Sequence, residues 1–455
     1  MLPSISWISK LLLKQLYKNT LNILSKMSIS DSVIILNEDS LKRKEIWIET
    51  DKNQIISLCI EKSNGIFETE LASRIESENC IQIKSPNLVG SSKVNFLTDN
   101  TYYTINLAVG MKYIDLSSKP HKIGYNGIYD RTDPSVILRI YQSYFNGNSY
   151  EMVYDSILDY KTRIYADPER IIYTDDKYLV DKYLVTQCEI LQTLWDSIPT
   201  KPNFSVEKLQ DNAKILAHLK KNSLKGMECK ALDFAANHLS VYQMLLYANA
   251  RSINDGLEAV YSIKMTDMIP SIPVPITKNT FFVQFIPFGK PYDEKDIYLE
   301  VTIKDEANGY RFPDYEEWYI FARGGDTTSI PYIWGNTTDT NIVKQYALYG
   351  KTKKDYENVY TATDIVGKLK PNNFGLYDMF GLSGEIVYLK NTKLLKRLYY
   401  PTPIIQPFLL KGGNMMIPWK QEPFMGDTYK NVTFEYYERV GFYKTGAFRL
   451  VRKLK

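Results

Sequence analysis

Short apolar runs separated by polar turn residues dominate the chain from residue 28 to residue 117. The runs are rich in Ile, Val, Leu, Tyr and Phe, and clusters of Asn, Asp, Ser and Gly divide them at intervals of about 8–15 residues. This pattern is typical of strands that pack into a small β-sandwich. The predicted strands are SVIILNED, EIWIET, QIISLCIE, IQIKS, KVNFLTD, YYTINLAV and KYIDLS.

Two segments beside the sandwich have different patterns. Residues 1–27 contain apolar residues interrupted by lysines, a run too short and too charged to span a bilayer. They predict a basic amphipathic helix, for which we favour docking on a partner protein over lying on a membrane surface. Residues 118–170 combine turn signals with helical periodicity in DPSVILRIYQSYF, and we interpret them as a connector.

Helical signals appear after residue 171. A strand and a helix are predicted in KYLVDKYLVTQCEILQTLWDSIP, with Thr186 as N-cap and Glu189 completing a capping box. A second helix should begin after Ser240 and end near Gly256. In YRFPDYEEWYIFARGG, Asp314 should cap a third helix with Glu317 at the N3 position of a capping box, and the helix should end at a Gly pair. Beyond residue 330 the pattern predicts long loops with a few short strands.

Composition narrows the classes of function. The 455 residues suggest two or three domains. With 56 basic and 52 acidic residues the net charge is only +4, which disfavours a nucleic-acid partner. Four cysteines lie far from the three histidines and form no CxxC pair, so a zinc ribbon is not expected. Cys59 and Cys80 could pair, but we expect free thiols in a reducing compartment.

The part of the chain from residue 171 to residue 455 resembles the formylglycine-generating enzymes, also called sulfatase-modifying factors. Six pieces occur in the order found in that family. They are YLVDKYLVTQCEILQTLW, NHLSVYQMLLYANARSINDGLEAVYSI, YRFPDYEEWYIFARGG, IWGN, KPNNFGLYDMFGLSGEIV, and LLKGGN with GAFRLV. The resemblance implies a C-type lectin-like domain over 171–455. Together with the β-sandwich over 28–117 and the helix over 1–27 that the hydrophobic pattern predicts, this gives an α+β fold.

Within this resemblance, several side chains of the matching motifs are expected to hold the scaffold together rather than to react. Arg311 could reach a buried carboxylate or backbone carbonyls, and Trp318 should face the core. Arg323 complements the helix dipole. Trp334 is an aromatic anchor of a turn, and Arg449 should tie the C-terminal strand to the core.

The oxidising members of the family need two cysteines between the GG and GFR motifs to bind Cu(I), for which thiolates are natural ligands. The matching segment here, residues 412–450, contains no Cys. Ile417 and Glu422 stand near the expected thiol positions. We therefore expect no copper and no catalytic residues, as in a pseudoenzyme. An oxidoreductase acting on peptide cysteine is the alternative.

The resemblance also implies a structural calcium site in the loop YDMFGLSGE. Its expected ligands are Asp378, Gly381, Ser383 and Glu385, because calcium accepts carboxylate and carbonyl oxygens together. Leu382 replaces the usual Asn, and Asn341 stands where a second site would begin. The alternative is an ordinary turn in which Asp378 caps its own backbone.

Aromatic residues are concentrated near the C-terminal end, and in related lectin-like proteins this region contacts ligands. Loops rich in Tyr and Trp on a rigid scaffold are common in binding sites. The alternative is that the aromatic rings fill the core beneath long loops. The predicted ligand-binding residues are Trp419, Tyr436, Tyr437, Phe442 and Tyr443.

These features together predict a non-catalytic structural or binding protein. A phage virion component assembled in the host cytoplasm, such as a capsid-decorating, tail or receptor-binding protein, is the first expectation. A bacterial surface or gliding-machinery protein is the second. Expected partners are other subunits of a large assembly, contacted through the N-terminal helix and sandwich, and a host-surface protein or glycan. A calcium-dependent lectin ranks lower, because QEPF is a poor match to known sugar-binding triplets.

Overall fold

The structure of the chain is a computed structural model. It describes residues 32–41, 45–61, 66–77, 79–98, 101–123, 141–146, 149–154, 170–194, 234–236, 239, 241–266, 280–285, 297–326, 333–334, 339–348, 364–388, 408–412 and 446–454. The predicted helix over residues 1–27 lies outside these ranges.

Two four-stranded sheets form a β-sandwich near the N-terminal end. The first sheet has the strand order β1-β3-β6-β5 and the second has the order β2-β8-β7-β4. A short helix, α1 (Glu38–Leu41), follows the first strand. The strands are β1 (Ser32–Leu36), β2 (Ile46–Thr50), β3 (Ile55–Ile60), β4 (Ile66–Glu68), β5 (Ala72–Ser77), β6 (Cys80–Lys84), β7 (Gly90–Thr98) and β8 (Thr101–Val109).

Alternation of apolar and polar positions explains the sandwich. In β3, Ile56, Leu58 and Ile60 are buried while the residues between them are more exposed, as expected when successive side chains point to opposite faces. These residues join Ile83 and Phe96 in a single core between the sheets. The predicted sandwich is thus observed, with β4 and β5 as strands that the apolar pattern did not indicate. The prediction was wrong for KYIDLS, which forms a strand of another sheet because its partners lie outside the sandwich.

Strands also occur in the segment that the sequence predicts as a connector. They are β10 (His121–Ile123), β11 (Tyr141–Asn146), β12 (Ser149–Tyr154) and β13 (Arg170–Ile172). β11 pairs with β12 as an antiparallel hairpin. The helical interpretation of DPSVILRIYQSYF was therefore wrong for its last five residues, where Tyr and Phe favour a strand once the following turn offers a partner.

A three-stranded sheet links the sandwich to the rest of the molecule. Its central strand, β14 (Lys177–Asp181), pairs antiparallel with β9 (Met111–Asp115) on one side and with β21 (Val451–Leu454) on the other. β9 comes directly after the last sandwich strand. The domain boundaries stay predictions, but this pairing places residues 111–115 in the same sheet as the lectin-like region.

Two further three-stranded sheets and the helices make up the rest of the described elements. Three further strands, β15 (Tyr261–Thr266), β16 (Thr280–Phe285) and β17 (Ile297–Ile303), form one sheet, and β18 (Gly384–Tyr388), β19 (Phe408–Lys411) and β20 (Gly446–Ala447) form another. The helices are α2 (Gln187–Leu194), α3 (Val241–Asn254), α4 (Tyr315–Arg323) and α5 (Thr340–Val343). No helix in these ranges is long and apolar enough to cross a membrane.

Both predicted capping boxes are present. The Thr186 hydroxyl accepts the Glu189 backbone N–H at 3.3 Å, and the Glu189 carboxylate accepts the Thr186 N–H at 2.9 Å. Asp314 and Glu317 make the same exchange at the start of α4. Gly324 ends α4 in the left-handed conformation, with φ of 61°.

The expectation of free thiols was wrong for the described cysteines. Cys59 and Cys80, opposite each other on β3 and β6, form a disulfide bond. Cys188 in α2 is also disulfide-bonded. No described cysteine is free. Sequence spacing could not decide this, because pairing depends on the register that brings β3 beside β6.

Candidate functional site

A buried ion pair lies at the centre of the lectin-like region. The Arg449 guanidinium donates from Nε and Nη2 to the two carboxylate oxygens of Glu385, each at 2.7 Å. Both side chains are 0% exposed. The Trp318 indole N–H also donates to Glu385, at 3.1 Å. The remaining Arg449 donors reach the carbonyl oxygens of Asp181 and Tyr377, so this network joins β14, β18, α4 and the segment before β21.

A second buried ion pair lies beside the first. Arg251, in the last turn of α3, contacts Asp181 at the end of β14, with Nη2 to Oδ1 at 2.8 Å. Asp181 also accepts the backbone N–H of Leu450 at 2.8 Å. Buried charges are costly unless paired, and here each carboxylate faces a guanidinium. Sequence analysis missed this pair, because residues so far apart in sequence carry no local signal of contact.

The scaffold roles predicted around α4 are confirmed. Arg311 donates to both Glu317 oxygens at 2.7 Å and to the Phe312 carbonyl at 3.0 Å. Trp318 is fully buried in the core. Trp334 is buried and its ring packs edge-on against Phe380, with the ring centroids 5.5 Å apart.

Lys411 is buried among three aromatic rings of α4. Its Nζ lies 4.6 Å from the ring centroid of Tyr315, 4.5 Å from that of Tyr319 and 5.6 Å from that of Trp318. A cation over aromatic faces is attracted by their quadrupoles, and more strongly where water is excluded. The residue is 1% exposed, and its position fixes the end of β19 immediately before the C-terminal aromatic segment. Sequence analysis did not single it out.

Asp378, Gly381 and Ser383 lie in the loop that leads into β18, and Glu385 is the second residue of β18. The carboxylates of Asp378 and Glu385 already have partners. Asp378 accepts the backbone N–H of Gly367 at 2.6 Å, and Glu385 is held by Arg449. A calcium ion here would have to share or displace these contacts, with carbonyl oxygens of Gly381 and Ser383 as further ligands. Calcium binding stays a prediction. No group of three or more His, Cys, Asp and Glu side chains suited to a metal occurs within the described ranges.

Asp378 has an unusual environment for a carboxylate. Its backbone has φ of 57°, a left-handed conformation that Asp tolerates better than most residues. Burial raises the pKa of Asp378 to about 6, against the lowering effect of the Gly367 N–H and of Arg449. Its carboxylate joins the 367 turn to the loop before β18. Asn341, proposed for a second site, is exposed in α5, and its backbone N–H donates to Asp339.

The predicted ligand-binding residues Trp419, Tyr436, Tyr437, Phe442 and Tyr443 lie outside the described residues, as do Ile417 and Glu422. The two ends of the segment that contains them are described. Lys411 pairs with Glu385, and Gly446 pairs with Gly384. Both ends of the segment are therefore attached to β18, on opposite sides of the strand.

Comparison with known proteins identifies the family. The model of the sulfatase-modifying factor enzyme 1-like domain matches residues 146–433, which is more than half of the chain. The chain belongs to this family. The match begins within the predicted connector, 25 residues before the start expected from the sequence motifs (171 − 146 = 25).

One curated protein and several solved structures are similar to this member of the sulfatase-modifying factor family. The Chaperone protein LppX of Paenibacillus barcinonensis is 31% identical over 148 residues, which cover 31% of this chain and 46% of LppX. The chain thus spans about half the length of this relative. Treponema denticola variable protein 1 is 17% identical, with a TM-score of 0.40, over 80% of this chain and 98% of its own. PvdO from Pseudomonas aeruginosa is 13% identical, with a TM-score of 0.38, over 75% and 94%.

Proposed function

We propose that this chain is a non-catalytic binding protein that uses the sulfatase-modifying factor fold as a rigid support. The observation that carries the proposal is the placement of its cysteines. None of the four lies between residues 412 and 450, where the resemblance places the copper-binding thiols. Cys59, Cys80 and Cys188 are engaged in disulfide bonds.

The chemistry of copper oxidases of this type depends on thiolates. A disulfide sulfur carries no ionisable proton and is a poor ligand for Cu(I), whereas a thiolate pair binds it tightly. The methionines of the aromatic segment offer thioethers, which cannot be deprotonated and more often fill gaps between apolar groups. The frame around Glu385 and Arg449 would then serve to hold loops and not to position a reacting oxygen.

The experiment is aerobic incubation of the purified chain with Cu(I) and a cysteine-containing sulfatase peptide, followed by mass spectrometry of the peptide. We expect no conversion of cysteine to formylglycine and less than stoichiometric copper after desalting. A catalytically active family member assayed in parallel shows that the conditions support turnover. Conversion by this chain together with copper at one equivalent would establish an enzyme instead.

The surface that we propose for binding is the aromatic segment between β19 and β20. Its ends are attached to a buried strand, and Lys411 is packed under α4. A segment held at both ends can present Tyr and Trp side chains at low entropic cost. Candidate partners are a protein subunit or a host-surface protein or glycan. Replacing Trp419 and Tyr436 by Ala should abolish partner binding without changing the unfolding midpoint, whereas a lower midpoint would assign these rings to the core.

We propose a location for the protein on the basis of the same cysteines. Disulfide bonds persist in oxidising surroundings, such as cell surfaces and virion exteriors, and are rare in a reducing cytoplasm. This favours a protein displayed on a bacterial surface over a phage particle assembled in the host cytoplasm. A test is expression in a reducing and in an oxidising cytoplasm. Equal yield and stability of the fully reduced protein would support assembly in the cytoplasm.

A further inference from the structure

An opening in a strand ladder forms a polar depression on the surface of the molecule. β9 pairs with β14 as far as Leu116, whose N–H donates to the Asp176 carbonyl, and β10 pairs with β13 from His121 and Ile172 onward. Between these paired stretches, residues 117–120 face residues 173–175. The two connections separate and border an open depression with a volume of about 490 Å³. That volume is within the usual range for small-molecule sites, roughly 300–1,000 Å³.

The walls of the depression are held by contacts directed away from it. Lys119 donates from Nζ to the Gly325 carbonyl at 2.7 Å, which fastens one connection to the end of α4. The Ser117 N–H and hydroxyl both donate to Asp115. The Thr174 hydroxyl accepts the Asp176 N–H at 3.1 Å. These bonds fix the backbone of both connections, so a ligand would meet a preformed surface.

Three side chains that line the depression are available for a ligand. Tyr173 is 78% exposed, the highest value among the exposed large hydrophobic residues of the described ranges. Ser118 and Asp175 are also exposed. Within the described part of the chain these three side chains have no hydrogen-bond or ion-pair partner. The depression therefore combines an open aromatic face, a hydroxyl and a carboxylate.

We propose that this depression, which we call the 117/173 site, binds a saccharide through a pyranose ring. One face of such a ring carries C–H groups and its rim carries hydroxyls. The C–H groups of the sugar can pack on the face of the Tyr173 ring, which carries partial negative charge. The Tyr side chain also provides apolar contact area and loses little conformational entropy on binding. The carboxylate of Asp175 accepts hydrogen bonds from neighbouring hydroxyls, and charged acceptors make the stronger bonds. Ser118 can both donate and accept.

Other ligand classes fit the 117/173 site less well. A phosphate or other anion would meet Asp175, while the nearby cation Lys119 is already bound to Gly325. An extended peptide needs a free strand edge, but the opening is closed at both ends by paired strands. The site is formed by the β9–β10 and β13–β14 connections, which lie outside the aromatic segment in the sequence. It does not depend on the proposed absence of catalysis.

The test is saturation-transfer NMR with the full chain and a panel of methyl pyranosides: neutral hexosides, N-acetylhexosaminides and hexuronides. We expect signal transfer to at least one glycoside. Tyr173→Ala should raise its Kd at least tenfold, and Asp175→Asn should raise it roughly threefold to tenfold. Tyr102→Ala is the matched control, because Tyr102 is a 66% exposed tyrosine on β8.

The outcomes separate the alternatives. Binding that persists in the presence of a calcium chelator, is lost in Tyr173→Ala and is kept in Tyr102→Ala supports the 117/173 site. Binding that Tyr173→Ala leaves intact, or that the chelator removes, places the saccharide elsewhere and overturns the proposal. Absence of transfer to every member of the panel also overturns it. Because Tyr173 is exposed, its replacement should leave the unfolding midpoint unchanged.

Discussion

The carboxylate of Asp255, just beyond the end of α3, accepts the backbone N–H of Ser91 in β7 at 2.7 Å. It also accepts the hydroxyl of Tyr310. A Cβ added at the neighbouring Gly90 would lie 2.5 Å from Asp255 Oδ2. The sandwich therefore meets the lectin-like region at a point where there is room for the carboxylate but not for a side chain on β7.

This contact predicts energetic coupling between Gly90 and Asp255. Gly90→Ala should lower the free energy of unfolding by about 1–3 kcal/mol through overpacking. Asp255→Ala should lower it by about 1–3 kcal/mol, because the partly buried Ser91 N–H loses its acceptor. Since the second change removes the obstacle to the first, the double variant should be destabilised by less than the sum. Urea unfolding of the four proteins measures this, and simple additivity would contradict it.

The buried pair of Glu385 and Arg449 predicts that replacing the carboxylate by an amide of the same shape lowers the free energy of unfolding strongly. Glu385→Gln keeps the shape of the side chain but leaves the guanidinium without a countercharge, which costs about 3–5 kcal/mol. Glu258→Gln is a matched control, since Glu258 forms an exposed pair with Lys304 at 3.2 Å. Exposed pairs contribute about 0–1 kcal/mol. Equal effects of the two variants on the urea midpoint would refute a buried pair.

Asp378 predicts a dependence of stability on pH. Its pKa is raised to about 6, above its ordinary value, so the folded state holds the proton more tightly than the unfolded state. The stabilisation from this group is complete below about pH 4 and is lost as pH rises through about 6, a change of up to about 3 kcal/mol. Asp378→Asn can still accept the Gly367 N–H and has no proton to lose.

The difference in unfolding free energy between the Asn variant and the natural protein, measured from pH 4 to pH 8, isolates this effect. The unfolding free energy of the variant relative to that of the natural protein should increase as pH rises, because only the natural protein loses stability when Asp378 ionises. A constant difference would show that Asp378 titrates normally. Repeating the measurement at pH 8 with calcium and with chelator tests the predicted calcium site, because a bound ion would stabilise the natural protein there.

The disulfide in the sandwich predicts both a thiol count and a stability effect. Without reductant, a maleimide should label neither Cys59 nor Cys80, and both should react after reduction and unfolding. Replacing both by Ser opens a loop with a sequence separation of 21 residues, which should cost about 3 kcal/mol. Labelling of the folded, unreduced protein at these positions would support the free thiols expected from the sequence.

Local signals predicted part of this structure well. The capping boxes at Thr186 and Asp314 depend on residues three positions apart, and both were confirmed. The seven apolar runs before residue 117 became strands, because alternation over five or six residues reports burial directly. The family motifs indicated the fold of the remainder, and the scaffold roles of Arg311 and Arg449 followed from them.

Features that depend on distant pairing were not predictable. Asp181 and Arg251 lie 70 residues apart and carry no mutual signal. The depression at the 117/173 site exists because strand pairing stops between the β9–β14 pair and the β10–β13 pair. The order of apolar and polar residues along the sequence does not show where such pairing stops. The helical periodicity before residue 145 gave a wrong prediction for residues 141–145, because pairing with β12 in a hairpin determines the conformation of β11.

The position of β14 between β9 and β21 has a consequence for biosynthesis. Leu450 contacts Asp181 across 269 residues of sequence. Loop closure over such a distance is slow, and domains generally fold in the order in which they leave the ribosome. The sandwich has its own core and can fold early, whereas β14 must wait with one edge unpaired until β21 has been synthesised. During that interval β14 presents an unpaired strand edge, the kind of edge on which incomplete chains associate with one another.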